Sequence, residues 1–460
     1  MSRGFESHTL RRVVRWPPVA GDGDAGESVP LHPYERTRVS PKTRPGRQTV
    51  ARHGKLRAPN PVAQFLKILA VGVAVVLVAG IGVAGFNVWS LATNFTEDAV
   101  ALEGQDTAPP DIGQIEGGVN LFLAGTDACE PDYAAYFGER CTGADAGGEL
   151  NDVNLLVHIS DNPRRVTVIS FPRDLMLPIP ACEQEDGSAT SAMSKQPLNS
   201  TFSYGGLSCA VKTVSQLTGQ SIPYAAKVTW GGVIEITNAV GGVEVCIANG
   251  IRDRHTGIDW EAGNRNIQGI EALQFLRTRH GVGDGGDLGR ISNQQQYMSR
   301  LARKVVSDEV LSDPGTLYKL ASVAVDNITP SQSLTNPLTL VQIALAVKNV
   351  PFEEIVFLQY PTYEDPSDPN KVVPNYDAAE ALFAALEANQ QLVLTRDTIQ
   401  GDGTIVVEPE TPGETPAEDA PAEEPVEPTE QVVDPTVAEL PSAISGQTAA
   451  EETCSNGNLR

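Results

Sequence analysis

The sequence predicts an α/β domain of three layers behind a single transmembrane helix. One observation is the stretch FLKILAVGVAVVLVAGIGVAGFNVW, residues 65–89, which is almost wholly apolar. A second is the alternation, over residues 117–395, of short β-rich apolar runs with helix-length amphipathic segments. The third is a change in charge across the apolar stretch, which sets the side on which the domain lies.

In chain order, residues 1–64 hold twelve Lys or Arg against five Asp or Glu, with many prolines and no apolar periodicity. Such a composition buries too little surface to offset the entropy of ordering, so a disordered basic leader is expected. Ile68 to Thr96 carries no charge, and residues 65–89 exceed the roughly 20 apolar residues that a bilayer core requires. A cleaved secretory signal has an apolar region of only about 7–15 residues close to the N-terminus, so a spanning helix is the expectation. Residues 90–116, with six acidic residues and no basic one, read as a stalk.

Residues 1–67 contain 13 basic and 5 acidic residues, +8, which leaves 21 basic and 53 acidic, −32, for the remainder. Basic flanks stay on the cytoplasmic side. The expected arrangement is therefore a single-pass cell-membrane protein with a cytoplasmic N-terminus and an extracytoplasmic domain. A surface so acidic argues against a nucleic-acid partner.

Within residues 117–395, GGVNLFLAG opens the first strand, and NDVNLLVHIS and RVTVISFPRD flank the turn DNPR as an antiparallel pair. GGLSCAVKTVSQLTG reads as a helix with a glycine stop, followed by the strands YAAKVTW and VEVCI. IQGIEALQFLRTRH and LGRISNQQQYMSRLARKVVSD are helical, as are PLTLVQIALAVKNV and DAAEALFAALEANQQ, with EEIVFLQYP a strand between the last two. From Gly401 onward come fourteen acidic residues, eight prolines and one basic residue, so residues 396–460 are expected to be a disordered tail.

All six cysteines lie beyond the apolar stretch, on the oxidising side. Cys129 and Cys141 are spaced to staple a local loop, whereas the pairing of Cys182, Cys209, Cys246 and Cys454 stays open. No CxxC pair suggests zinc or thioredoxin chemistry.

Polar groups concentrate at the ends of the apolar runs, where a scaffold presents side chains to a ligand. Asp127 follows the first strand and Asp152 opens the second, and two strand-end carboxylates suit a shared magnesium ion, although each alone suits a turn. Pro172 ends the ladder of the third strand and turns Arg173 and Asp174 outward. In FLRTRHGVGDGGDLGR, Arg277 and Arg279 stand at a helix end, glycines allow close approach to a ligand, and Arg290 begins the next helix. Asp287 reads either as the N-cap of that helix or as a base. His280 suits a helix C-terminus, and Gln294 lies one turn past Arg290 on the same face. Guanidinium forks match phosphate oxygens, so a phosphorylated or pyrophosphate ligand is expected.

In order, NLFLAGTD, DVNLLVHIS, SFPRD, LNSTFSYGG, AVGGVEV, ALQFLRTRH and GDLGRISNQQQ resemble the LytR-CpsA-Psr family of wall-polysaccharide ligases, over about residues 117–308. The resemblance implies a central mixed sheet covered by helices, with an apolar groove for an isoprenoid chain. It implies an enzyme that moves a glycopolymer from a polyprenyl-pyrophosphate carrier onto peptidoglycan through a phosphodiester, with magnesium as cofactor. It assigns Asp127 and Asp152 to the metal, Arg173, Arg277, Arg279 and Arg290 to the pyrophosphate, and Asp287 and Gln294 to the remaining polar positions. Lys195, Asn199 and His280 follow as candidate substrate contacts.

Several positions depart from the family pattern. Leu150 and Asn151 stand where Arg and Ser are usual, Pro197 where a Lys is usual, with Lys195 as the nearest substitute, and Asn293 where many relatives carry Arg. Arg165, Arg252, Arg254 and Arg265 are candidate supplements to the cationic patch. FSYGG lacks the pattern of a nucleophile elbow, which disfavours a covalent hydrolase. A polyprenyl-pyrophosphate phosphatase and a non-catalytic lipid or glycan receptor remain as alternatives.

Overall fold

A computed structural model describes residues 95–96, 99–103, 118–394 with breaks at 145, 185, 306–309 and 311–312, then 403–407 and 436–459. The expected leader and spanning helix fall outside the described residues. Among the described residues no helix is long and apolar enough to cross a membrane.

The strands are β1 (Val119–Thr126), β2 (Asn151–Ile159), β3 (Val166–Phe171), β4 (Met176–Ile179), β5 (Met193–Pro197), β6 (Tyr224–Thr229), β7 (Val243–Ile247), β8 (Ile251–Asp253), β9 (Ile258–Trp260), β10 (Gly263–Ile267) and β11 (Ile328–Pro330). After them come β12 (Ile355–Gln359), β13 (Thr362–Asp365), β14 (Asp368–Pro374), β15 (Gln391–Val393), β16 (Thr404–Val406), β17 (Val437–Glu439), β18 (Gly446–Thr448) and β19 (Thr453–Ser455). The main helices are α1 (Thr201–Thr218), α2 (Trp230–Ala239), α3 (Ile270–Arg277), α4 (Asp287–Val305), α5 (Pro314–Asn327), α6 (Pro337–Lys348) and α7 (Tyr376–Glu387).

Seven strands form the central sheet in the order β11-β6-β1-β2-β3-β12-β18. It is mixed: β1–β2 and β2–β3 are antiparallel, whereas β1–β6 and β3–β12 are parallel. Its inner strands are apolar on both faces because both faces are covered. Phe122, Leu156 and Ile169 point to one side, where Ala210 and Val214 of α1 and Leu382 and Phe383 of α7 meet them. Leu155, Val168 and Phe357 point to the other, against Met298 of α4 and Ile343 and Val347 of α6. Each fully buried side chain of this kind contributes about 1.5–3 kcal/mol. The expected layering, helix on sheet on helix, is thus the observed packing.

Beside it a smaller sheet, β10-β7-β19-β16, packs its apolar side with α3 and α4 around Val243, Val245, Phe275 and Tyr297. The central sheet brings the start of β2 and the end of β3 to the start of α4, and β8, paired with β9 in a sheet of two strands, follows β7 of the smaller sheet.

Two sequence expectations are corrected. The stalk does not stay separate over residues 99–103: Val100 N–H donates to the Pro330 carbonyl at 2.9 Å and Leu102 is buried in the core. The tail is not uniformly disordered either, because β18 pairs with β12 at the sheet edge and β16 and β19 enter the smaller sheet. Acidity averaged over the whole tail hid VAEL and the short polar strands around Cys454. Residues 408–435, where the prolines and carboxylates concentrate, lie outside the described residues. All six cysteines are paired, as Cys129–Cys141, Cys182–Cys209 and Cys246–Cys454.

Candidate active site

Pro172 ends β3 and the chain turns, so that Arg173 reaches across to the neighbouring strand. Its Nη1 lies 2.8 Å from Asp152 Oδ1, and its Nε lies 3.4 Å from Asp174 and 3.5 Å from Asp287. Burial works against the charge of this guanidinium, but Asp152 and then Asp287 outweigh it and hold the proton more firmly than in water. Arg290, almost wholly buried on the first turn of α4, donates to the Asp152 carbonyl at 3.1 Å and lies 2.9 Å from Asp287 Oδ1. Asp287 is the first residue of α4, and its carboxylate is shared between two arginines.

Arg277 stands differently. It forms no ion pair among the described residues, and its guanidinium lies 4.1 Å from the Trp230 ring and 5.5 Å from the Phe137 ring. Burial lowers its pKa, and Asp152 and Asp127 counteract this only in part. Aromatic faces thus hold the cation in place without neutralising it. Arg279 also lacks an ion pair among the described residues, and its Nε is buried with no hydrogen-bond partner, as are Nε of Arg173 and Nε of Arg290. Buried donors of this kind cost about 1–3 kcal/mol each unless something accepts from them.

The backbone that carries Arg277 and Arg279 is set by Asp253, at the end of β8 and buried. One of its oxygens accepts from Thr278 Oγ1 at 2.8 Å, Arg279 N–H at 3.0 Å and His280 N–H at 3.1 Å, and the other accepts from His255 N–H at 2.9 Å. Burial pushes its pKa up, yet these hydrogen bonds outweigh it and hold the carboxyl below its usual range. The rings of His255 and His280 lie 4.5 Å apart beside it.

Arg173, Arg277, Arg279 and Arg290 line one polar pocket of about 240 Å³, with Asp152, Asp253, His255 and His280. A second cavity, of about 300 Å³ and lined mainly by apolar side chains such as Leu123, Val233, Leu276 and Met298, shares Asp152, Arg277 and Arg290 with it. Gln294 lines this second cavity and donates to the Leu276 carbonyl at 3.0 Å, tying α4 to the end of α3.

Of the other expected residues, Asp127 lines neither cavity and is engaged elsewhere. Its Oδ2 is 2.8 Å from Arg140 Nε and its Oδ1 accepts Leu150 N–H at 2.7 Å. Arg140 sits in the loop closed by Cys129–Cys141. Asn199 contributes its backbone, donating to the Arg173 carbonyl at 3.0 Å. Lys195 is not brought to the pocket; its Nζ lies 2.6 Å from Asp365 of β13. Neither do the supplementary arginines reach it: Arg165 pairs with Glu354, Arg252 with Asp259 and Arg265 with Glu271, and Arg254 does not line the pocket. Asn293 is fully buried in α4 and accepts from Ser455 Oγ at 2.6 Å. Asp253, His255, Arg140 and Trp230 escaped the sequence reading. Only Asp253 left a trace, as a carboxylate at a strand end in IRDRHTG.

The sequence model of the LytR_cpsA_psr family matches residues 89–391. The chain belongs to the LytR_cpsA_psr family. Among relatives of this LytR_cpsA_psr chain is the probable cell wall biosynthesis protein LcpB of Corynebacterium glutamicum, 28% identical over 287 residues, which are 62% of this chain and 65% of that one. The cell wall biosynthesis protein LcpA of the same organism is 26% identical over 334 residues, 66% of this chain and 61% of that one. The chain therefore spans less than two thirds of either corynebacterial relative. The polyisoprenyl-teichoic acid–peptidoglycan teichoic acid transferase TagU of Enterococcus faecalis is 24% identical over 267 residues, 57% of this chain and 78% of that one. Among solved structures, the LytR-Csp2A-Psr enzyme from Actinomyces oris superposes with a TM-score of 0.46 at 22% identity, covering 63% of this chain and 96% of that one.

Proposed function

We propose that this LytR_cpsA_psr chain is a phosphotransferase. It moves a cell-wall glycopolymer from a polyprenyl-pyrophosphate carrier to peptidoglycan and leaves a phosphodiester between them. The observation that carries the reading is the junction of two cavities of opposite character at Asp152, Arg277 and Arg290, with four arginines lining the polar one. A ligand that fills both has an anionic head rich in acceptor oxygens and a long apolar tail. The relatives named as cell-wall biosynthesis proteins and as a teichoic acid transferase support the same class.

In this reading Arg277 and Arg279 grip the pyrophosphate and answer its charge, while Arg173 and Arg290, held by Asp152 and Asp287, donate N–H groups to the leaving phosphate. The acceptor hydroxyl oxygen forms a bond to the sugar-side phosphorus, the bond from that phosphorus to the bridging oxygen breaks, and lipid phosphate leaves with that oxygen and its electron pair, taking up the hydroxyl proton. No side-chain nucleophile is needed, and among the described residues neither Ser nor Cys lines the polar pocket.

Magnesium suits this site. Among the described residues no group of three or more His, Cys, Asp or Glu converges, but magnesium in phosphoryl-transfer sites takes only one or two carboxylates, the rest of its shell being water and phosphate. Asp152, which lines both cavities, would hold it through a lone pair that Arg173 does not use, whereas Asp127 lines neither cavity and has both oxygens engaged by Arg140 and Leu150. When bound, the ion adds positive charge beside the phosphate oxygens. The reading places the domain outside the cell on a single-pass anchor, where lipid carrier and peptidoglycan meet.

The test is to incubate the membrane-bound full chain with a polyprenyl-pyrophosphate-linked glycan, magnesium and peptidoglycan oligomers, and to follow phosphodiester-linked product by mass spectrometry. Linked product is expected, and its loss in Arg279→Ala. Free lipid phosphate without linkage would replace the reading with a phosphatase, and absence of turnover with every glycan tried would replace it with a receptor.

A further inference from the structure

The loop Gly281–Gly286 joins the arginines at the end of α3 to Asp287 and Arg290 at the start of α4, and glycine supplies three of its first five residues. A loop of that composition holds no single conformation unaided. Here it is tied down by residues 456–458. Gly283 N–H donates to the Asn456 carbonyl at 3.0 Å, Asn458 N–H donates to the Gly281 carbonyl at 2.7 Å, and Asn458 Nδ2 donates to the Gly283 carbonyl at 2.9 Å. Val282 and Gly457 form an antiparallel bridge between these bonds.

The segment that makes the contacts is itself anchored. Cys454 is bonded to Cys246 of β7, Ser455 Oγ donates to buried Asn293 Oδ1 at 2.6 Å, and Gln296 of α4 donates to the Thr453 carbonyl at 2.9 Å. The Asn456 N–H donates to the Gly403 carbonyl at 2.8 Å. Gly403 lies so close to the Gly289 carbonyl, and Gly457 to the Gly250 carbonyl, that a Cβ at either would overlap backbone. The approach of Gly457 to the β7–β8 turn, and of its neighbour Gly403 to α4, is therefore built into the sequence.

We infer that residues 453–459 are a positioning strap for the polar pocket, with Asn458 as its clasp and Cys246–Cys454 as its latch. The strap fixes the spacing between the Arg277–His280 turn and the Asp287–Arg290 turn. It touches no ligand itself; it acts through the loop. The structural part stands on its own, and only the ligand part rests on the pocket being a pyrophosphate site.

The experiment compares the full chain with Asn458→Ala, which keeps the latch, and with Cys246→Ser/Cys454→Ser, which removes it. Amide hydrogen exchange over residues 279–286, calorimetric binding of inorganic pyrophosphate and the thermal midpoint are read on each. In Asn458→Ala, exchange at Gly281–Gly285 rises about tenfold or more and pyrophosphate binds about tenfold more weakly, while central-sheet protection and the midpoint stay as in the native chain. Asn458→Gln, which restores a donor, recovers part of the affinity. The double cysteine variant extends the same loosening to β19. Unchanged exchange over 279–286 in both variants overturns the strap. Faster exchange with native pyrophosphate affinity confines it to stability and overturns its positioning role. Failure of the native chain to bind pyrophosphate overturns the ligand reading, while the exchange data still decide the strap.

Discussion

At the scale of single residues, the four arginines of the polar pocket divide into two kinds. Arg173 and Arg290 are neutralised by Asp152 and Asp287, whereas Arg277 and Arg279 have no ion-pair partner among the described residues. An anion in the pocket gains most from the second kind, because their charge is not already answered. Arg279→Ala is therefore expected to weaken inorganic pyrophosphate by about 2–3 kcal/mol, with little change in folding stability since a buried unpaired donor is removed. Calorimetry and urea titration of the same variant check both halves. Asp253→Asn should instead lower stability, by about 2–3 kcal/mol, because an amide has one acceptor oxygen and, whichever way it turns, its NH2 meets an N–H donor, either that of His255 or those of Arg279 and His280. The arginines were legible in the sequence, where residue type and position at strand and helix ends suffice. Asp253 was not, since its partners are 25 to 27 residues away and meet it only after β8 packs against the end of α3.

At the scale of elements, the apolar runs announced the central strands, and β2 shows what such a strand does to a polar residue within it. His158 is buried, its Nδ1 lies 2.9 Å from Asn120 Oδ1, and its Nε2 has no partner. Burial lowers its pKa to about 4, so it is neutral and donates through Nδ1. In the unfolded chain it protonates near pH 6.5. Between these values the unfolded state binds more protons, so the contribution is whole above about pH 6.5 and is lost as pH falls towards 4, by up to about 3 kcal/mol. Urea unfolding of the native chain and of His158→Asn at pH 7 and pH 4.5 should show the gap between them shrinking or reversing at the lower pH. A constant gap would mean that His158 ionises in place. Short strands without such a pattern escaped the sequence reading. β18 and β19 have polar sequences, GQT and TCS, and became strands because β12 and β7 offered them free edges.

At the scale of the molecule, the two cavities make one amphiphilic receptacle, and this gives a test that separates head from tail. The central sheet holds the apolar cavity between its β1–β2 face and helices α2 and α4, while the turn carried by Asp253 holds the polar pocket. Val233 of α2 lines the first and not the second. Val233→Trp fills apolar space without adding charge, so inorganic pyrophosphate should bind as it does to the native chain. A long-chain polyprenyl pyrophosphate in detergent should lose about tenfold or more, equivalent to about 1.4 kcal/mol, or some 55 Å² of apolar contact at 25 cal/mol per Å². Shortening the prenyl chain should reduce the difference between native and variant until it vanishes for a head group alone. Equal losses for both ligands would show instead that α2 moves and carries the Trp230 face away from Arg277. Native affinity for the long lipid would place its tail outside this cavity altogether, and the link between the two chemistries at Asp152, Arg277 and Arg290 would then lack a function.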